Sequence, residues 1–230
     1  MASPDQTRVT VHPQRWWELA LYRFVSSLIL VVAKVFGRIE IIGAANVPRD
    51  RPFVLAPVHR SNIDFALVSL VTKRRMRYMG KDSIFKFGFL NPFFHALGAF
   101  PVHRGAADRE ALHTSIAVIE LGQPLVMFPE GTRQSGPTVQ ELFDGPAYVA
   151  SKTQVQVVPV GIGGSEKAMP KGSKFIHPTK LVLIVGQPLD PPALRESGGT
   201  SRRAVKELTD QLKGDLQKLF DDAETRAGHR

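Results

Sequence analysis

The chain has 230 residues, 43% hydrophobic and 22% charged, enough to bury the core of one large domain, and no repeat or low-complexity block argues for a solenoid or for disorder. Its formal net charge of +9 asks for an anionic partner: nucleic acid, an anionic lipid surface or a phosphorylated substrate. The absence of cysteine excludes disulfides, thiolate metal sites and a cysteine nucleophile.

At the N-terminus the apolar run begins late and no small-residue cleavage pattern follows it, so it lacks the form of a signal peptide. Between Arg23 and Lys34 only the ten residues Phe24 to Ala33 are uncharged, short of the ~20 that a membrane span needs. Trp16 and Trp17, next to Arg15, lead into the apolar run Leu19 to Phe36; indoles and arginines beside an apolar helix suit a bilayer interface. Residues 1–36 are therefore read as an amphipathic segment, either a monotopic anchor lying in one leaflet or a helix packed on the domain, and residues 37–230 as a single α/β domain.

From there the pattern alternates. Short β-rich runs occur at Arg38–Ile42, Phe53–Ala56, Arg77–Met79, Ala99–Val102, Leu125–Phe128, Val155–Val160 and Leu181–Val185, and helical spacing at Asp64–Thr72, Arg109–Leu121, Val139–Lys152 and Arg202–Phe220. Strands alternating with helices predict an α/β fold, a mostly parallel central sheet flanked by helices, with functional residues in the loops at strand ends. In the last helix Val205, Leu208, Leu212, Leu216 and Leu219 form one stripe, read as a core face. Basic residues crowd the stretch 73 to 109, where Lys73, Arg74, Arg75, Arg77, Lys81, Lys86, Arg104 and Arg109 face only Asp82 and Asp108. Its 73–87 portion is read either as a solvated cluster or as a contact for an anionic leaflet.

Chemistry concentrates in three loops. After the strand at Phe53–Ala56 comes His59-Arg60-Ser61-Asn62-Ile63-Asp64. Helical neighbours are three or four residues apart, so a His and an Asp five apart need a turn between them to meet. Ser61 and Asp64 also fit an S-x-x-D capping box, which gives Asp64 a purely structural alternative. Gly98 to Arg104 follows a second strand with a guanidinium, and Phe128-Pro129-Glu130-Gly131-Thr132-Arg133 follows a third with a carboxylate, a glycine and another guanidinium. Glycine permits close backbone approach to a ligand, and arginine's planar fork matches phosphate.

In this order the loops resemble the glycerophospholipid acyltransferase family. Its HxxxxD motif matches at His59 and Asp64, and its F-P-E-G-T-R motif matches without substitution at Phe128–Arg133. The segments Gly80–Phe85 and Gly98–Arg104 resemble the family's second block and its lead-in, and Val157–Val160 completes the set. The resemblance covers about residues 38 to 190. Two positions depart from the small lysophosphatidate acyltransferases: Val58 stands where Asn is frequent, and Phe143-Asp144-Gly145-Pro146 stands in place of F-K-x-G.

The resemblance implies acyl transfer from a thioester, acyl-CoA or acyl carrier protein, to the sn-2 hydroxyl of a 1-acyl-sn-glycerol-3-phosphate (lysophosphatidate) acceptor, forming phosphatidate. Glycerol-3-phosphate is the alternative acceptor, since Pro57-Val58-His59-Arg60-Ser61 looks more like that version of the motif. A hydroxyl must lose its proton as it attacks, and neutral imidazole suits that role near pH 7. His59 is thus the expected base and Asp64 its orienting partner; the nucleophile belongs to the substrate. Lys81, Arg104 and Arg133 are expected at the acceptor phosphate, with Glu130, Gly131 and Thr132 shaping the substrate site, and backbone N–H groups after His59 at the oxyanion. Neither a cofactor nor a metal is expected, and the enzyme should be monotopic on an anionic membrane surface at the cytoplasmic face. Two other classes fit poorly. No nucleic-acid motif is present and aromatics are not interleaved with the basic cluster, so no nucleic acid is expected; a hydrolase would lack its G-x-S-x-G elbow.

Overall fold

All seven β-rich runs enter one sheet of a computed structural model that describes residues 14–81, 91–102, 109–194 and 199–229. The strands are β1 (Glu40–Ile42), β2 (Val54–Pro57), β3 (Arg77–Lys81), β4 (Ala99–Val102), β5 (Leu125–Val126), β6 (Val157–Gly163) and β7 (Val182–Val185), in spatial order β1-β7-β6-β2-β5-β3-β4. Pairing is parallel throughout except between β6 and β7. The helices are α1 (Trp16–Gly37), α2 (Asp64–Val68), α3 (Asn91–Ala96), α4 (Arg109–Glu120), α5 (Gly145–Thr153), α6 (Ser165–Ala168) and α7 (Arg202–Ala227). The mostly parallel α/β sheet flanked by helices is the predicted one.

β2 holds the centre. Its Val54, Leu55 and Ala56 are completely buried, as a continuous apolar strand covered on both faces must be. Val54 and Leu55 lie opposite Leu125 and Val126 of β5, and Val54 to Pro57 lie opposite Val157 to Val160 of β6. The chain therefore leaves β2 and β5 at the same edge of the sheet, which sets two of the motif loops side by side.

α7 covers β6 at very close range because β6 carries glycines where the helix passes. A Cβ on Gly161 would stand 2.4 Å from the carbonyl of Leu219, and one on Gly163 would stand 2.2 Å from the carbonyl oxygen of Ala223. The predicted stripe is confirmed as a core face, with Val205, Leu208, Leu212 and Leu216 buried in the main core and Leu219 packed on a second cluster of Val182, Ile184, Ala223 and Ala227. The helix runs on past Phe220 to Ala227 and stops at Gly228, φ 79°. α5, expected from Val139, starts only at Gly145–Pro146. Before it, the amides of Val139 and Gln140 bond to the side chains of Gln217 and Glu130 instead of to a helical turn, and proline fits the first turn, where its missing N–H costs nothing.

α1 is one continuous helix of 22 residues, long and apolar enough by length and composition to cross a membrane. The uncharged-run criterion missed this because Arg23 and Lys34 interrupt an otherwise apolar helix. One stripe, with Tyr22, Ala33 and Gly37, is buried on the domain, while Trp16, Phe24, Leu28, Val31, Val35 and Phe36 are more than half exposed. α1 is thus packed on the domain along one side, as one of the two readings had it, but it is not buried, because its other side is exposed.

The basic stretch at 73 to 77 corrects another expectation. Of its cations only Lys73 is exposed. Arg74 donates to the carbonyls of Pro48, Arg51 and Gly122. Arg75 is buried, donates to the carbonyls of Ala96 at 2.8 Å and His95 at 2.6 Å, and lies 3.5 Å from Glu18 of α1. Arg77 is buried too, and desolvation, reinforced by Arg75, lowers its pKa to about 10. Carbonyls at the end of α3 and the acid on α1 draw Arg75 inward, so Arg75 and Arg77 form neither a solvated face nor a lipid contact.

Candidate active site

His59 sits just past β2, with Nδ1 3.0 Å from Asp64 Oδ2. The turn between them is held by that same oxygen, which also accepts the backbone N–H groups of Arg60 and Ser61, each at 2.7 Å. Asp64 is fully buried and is the first residue of α2, whose N-cap is Ile63. Ser61 is therefore not the N-cap that the capping-box reading required, although Asp64 still shapes the turn. The carboxylate reaches back to the Ser61 amide as in a capping box, while the Ser61 hydroxyl turns away and donates to the carbonyl of Met169 at 2.7 Å. This geometry corrects the oxyanion expectation at two positions, because the amides of Arg60 and Ser61 are already committed to Asp64.

His59 is also fixed from its face and from below. Phe128, at the start of the F-P-E-G-T-R loop, stacks on the imidazole with ring centroids 4.1 Å apart. The His59 amide donates to Glu130 Oε2 at 3.0 Å, and its carbonyl accepts from the Gln134 amide at 2.9 Å. With Nδ1 facing a carboxylate, the ring proton belongs on Nδ1. Nε2 is then the basic nitrogen, and it has no protein partner among the described residues. The His59 side chain is 14% exposed and that of Asp64 0%, so solvent reaches the base and not its orienting partner.

Glu130, expected at the substrate, is instead buried and saturated. Its two oxygens accept Arg60 Nη1 at 2.9 and 2.7 Å, the His59 amide at 3.0 Å and the Gln140 amide at 3.1 Å. Arg60 is equally buried: it also donates to the carbonyls of His59 and Thr138, and its guanidinium lies 4.7 Å from the ring centroid of Phe220 on α7. Arg60 had not been picked out from the sequence. The signal was the single acid of the F-P-E-G-T-R loop, which on burial requires a cation.

Gly131 adopts φ 67°, and a Cβ there would meet the Phe143 ring at 2.6 Å, so glycine is needed for both conformation and space. Thr132 is exposed and its amide donates to the Glu130 carbonyl. Arg133 is half-buried beside the His59-bound Gln134 and has no hydrogen bond or ion pair among the described residues. Lys81 ends β3, the neighbour of β5. Arg104 lies outside the described residues. Among the described residues no three His, Asp or Glu side chains gather where they could hold a metal ion.

Chemically the site offers a solvent-reached basic nitrogen backed by a buried carboxylate, with an uncommitted arginine one residue from the backbone contact to His59, at the C-terminal edge of a parallel sheet. Ligands bind at this edge in open α/β folds because loops from neighbouring strands converge there.

A family model described as acyltransferase matches residues 38–163, more than half of the chain and inclusive of both motif loops. Over 170 residues the chain is 26% identical to the 1-acyl-sn-glycerol-3-phosphate acyltransferase of Bacillus subtilis (strain 168), covering 74% of this chain and 82% of that one. It is 31% identical over 155 residues to the chloroplastic 1-acyl-sn-glycerol-3-phosphate acyltransferase LPAT1 of Arabidopsis thaliana, 65% of this chain but only 43% of that longer protein. The crystal structure of the 1-acyl-sn-glycerophosphate (LPA) acyltransferase PlsC from Thermotoga maritima shares the fold with a TM-score of 0.72 at 24% identity, over 89% of this chain and 78% of that one. On the extent of the family match, this chain belongs to the acyltransferase family.

Proposed function

We propose that the protein is a lysophosphatidate acyltransferase, transferring a fatty acyl group from a thioester to the sn-2 hydroxyl of 1-acyl-sn-glycerol-3-phosphate. The observation that carries this is the His59–Asp64 pair at 3.0 Å with Nε2 left free, in a chain whose relatives bear that activity in their names. Nε2 accepts the hydroxyl proton as the substrate oxygen bonds to the thioester carbonyl carbon. Asp64 holds the tautomer and stabilises the imidazolium. Collapse of the tetrahedral intermediate breaks the C–S bond, and the proton on Nε2 passes to the departing thiolate. Ester and thiol are the products, and the enzyme returns unchanged without a cofactor.

Arg133 is assigned to the acceptor phosphate because it is uncommitted among the described residues and precedes Gln134, whose amide bonds to the His59 carbonyl; Lys81 and Arg104 are assigned to the same phosphate from their motif positions. Gly131 and Thr132 line the approach, whereas Glu130 acts indirectly, by holding His59 and Arg60. The donor is acyl-CoA or acyl carrier protein. The exposed apolar face of α1 supports attachment to a membrane surface, where both acyl chains and the product reside, and the cytoplasmic face is part of this proposal.

Purified protein given palmitoyl-CoA and a panel of acceptors should form phosphatidate from lysophosphatidate. The His59→Ala variant should lose that turnover, and Arg133→Ala should raise the apparent KM for the acceptor about tenfold, the worth of one charge-assisted contact. Faster acylation of glycerol-3-phosphate than of lysophosphatidate would overturn the acceptor assignment.

A further inference from the structure

Between α6 and β7 the chain forms a loop, residues 169–180, whose tip is apolar and exposed: Phe175 is 76% and Ile176 60% accessible. This exposure is built in. The Ser173 amide donates to the Pro170 carbonyl, the Ser173 hydroxyl exchanges hydrogen bonds with the amide and carbonyl of Phe175, and the His177 amide closes the loop onto the Ala168 carbonyl at 2.7 Å. Two large apolar side chains are thus held out in water by a defined turn, where burial against the domain would have been the favourable alternative.

The charge around the tip is of one sign. From 167 to 180 the chain carries Lys167, Lys171, Lys174 and Lys180 and no acid. Lys180 lies 3.3 Å from Glu40, and Lys167 is in contact with His229. Lys171 and Lys174, which both precede Phe175, are exposed and have no partner among the described residues.

Both ends of the loop are anchored to functional elements. At one end the Met169 carbonyl accepts the Ser61 hydroxyl from the turn between His59 and Asp64. At the other, the Leu181 amide donates to the Gly37 carbonyl, and a Cβ on Gly37 would touch the Leu181 side chain, so the loop ends against the last turn of α1, beside exposed Val35 and Phe36. It bridges the catalytic turn and the end of the apolar helix.

We propose that residues 171–177 form a second lipid-contacting element, with Phe175 and Ile176 entering the interfacial region of an anionic leaflet and Lys171 and Lys174 pairing with its phosphates. The proposal rests on the reading of the protein as a membrane-surface enzyme and adds that the His59 turn is coupled to the bilayer through this loop as well as through α1. An apolar tip next to two unpaired lysines favours a lipid surface over an acidic protein, which would match the charge and not the tip.

The test is co-sedimentation of the full chain with vesicles of phosphatidylcholine alone or mixed with phosphatidylglycerol. The wild type should partition onto the mixed vesicles. A Phe175→Ser/Ile176→Ser variant should partition about tenfold less on the mixed vesicles, while Lys171→Gln/Lys174→Gln should lose its advantage on anionic vesicles only. Both variants should keep wild-type turnover on a short-chain, water-soluble lysophosphatidate, which shows that they are folded. Equal partitioning of wild type and variants overturns the proposal alone; absence of wild-type partitioning overturns the membrane-surface reading beneath it. Unchanged partitioning with a raised KM for acyl carrier protein overturns it in favour of a donor-docking loop.

Discussion

Asp64 Oδ2 accepts three hydrogen bonds, from the His59 ring and from the Arg60 and Ser61 amides, so one oxygen both shapes the turn and orients the base. Its companion Oδ1 is buried without a partner. In Asp64→Asn the amide oxygen can keep those three donors, but the NH2 group then occupies the unpartnered position and no negative charge faces the imidazolium. Turnover should fall by about 10²–10⁴, with about 1–3 kcal/mol of stability lost to the buried amide. Retained turnover with a lowered Tm would reduce Asp64 to a cap. The Arg60–Glu130 pair makes a second prediction. Arg60→Met leaves Glu130 buried without its cation and should cost about 3–5 kcal/mol in urea unfolding, whereas replacing both partners by apolar residues should cost less than either single change. The sequence displayed His59, Asp64 and Glu130 because motif spacing is visible in one dimension. It did not display the use of Glu130, since the burial of that carboxylate depends on Arg60, Thr138, Gln140 and Phe220, which only the folded chain brings together.

Strands were legible to within three residues at either end because each is a short apolar run between turn residues, and a central parallel strand such as β2 must be apolar on both faces. Helix limits were less so. Val139 to Phe143 has residues that suit a helix, yet its amides find side-chain acceptors on Glu130 and Gln217, and such tertiary bonds override local preference. The fate of Arg75 was hidden for the same reason: its partners are helix-end carbonyls about twenty residues away and an acid more than fifty residues away in sequence. Packing of β6 on α7 offers a prediction at this scale. Gly161→Ala would put a methyl group within 2.4 Å of the Leu219 carbonyl, and a backbone carbonyl cannot turn away as a side chain can. Chemical denaturation should register a loss of about 1–3 kcal/mol or more. Gly214→Ala, on the same helix with nothing within 4 Å, should instead be neutral or stabilising by a few tenths up to about 1 kcal/mol, since alanine is the better helix former.

For the molecule as a whole, the question is why a folded domain carries a helix with most of one apolar face in water. Phe24, Leu28, Val31 and Val35 are each more than half exposed, and they recur at intervals of four, three and four along one side of α1. The opposite side is fastened to the domain by Tyr22, whose hydroxyl lies 3.3 Å from that of Tyr78, by the Glu18–Arg75 ion pair at 3.5 Å and by the close approach of Gly37 to Leu181. Fastening along one side holds the helix flat on the body, so on the proposed membrane-surface reading its free side would meet a leaflet as a surface and not as a perpendicular span. Folding and membrane attachment then depend on different residues of one helix. Phe24→Ser/Leu28→Ser/Val31→Ser should leave the Tm within a degree or two of wild type, because exposed side chains contribute little to folding, yet should release the protein from vesicles, each lost apolar contact weakening the partition by about 1–2 kcal/mol. Tyr22→Ala should do the reverse, lowering the Tm while the apolar face stays intact. If the triple variant instead unfolds at lower temperature and still sediments with vesicles, the exposed side of α1 is a packing surface for protein and attachment to lipid lies elsewhere in the chain.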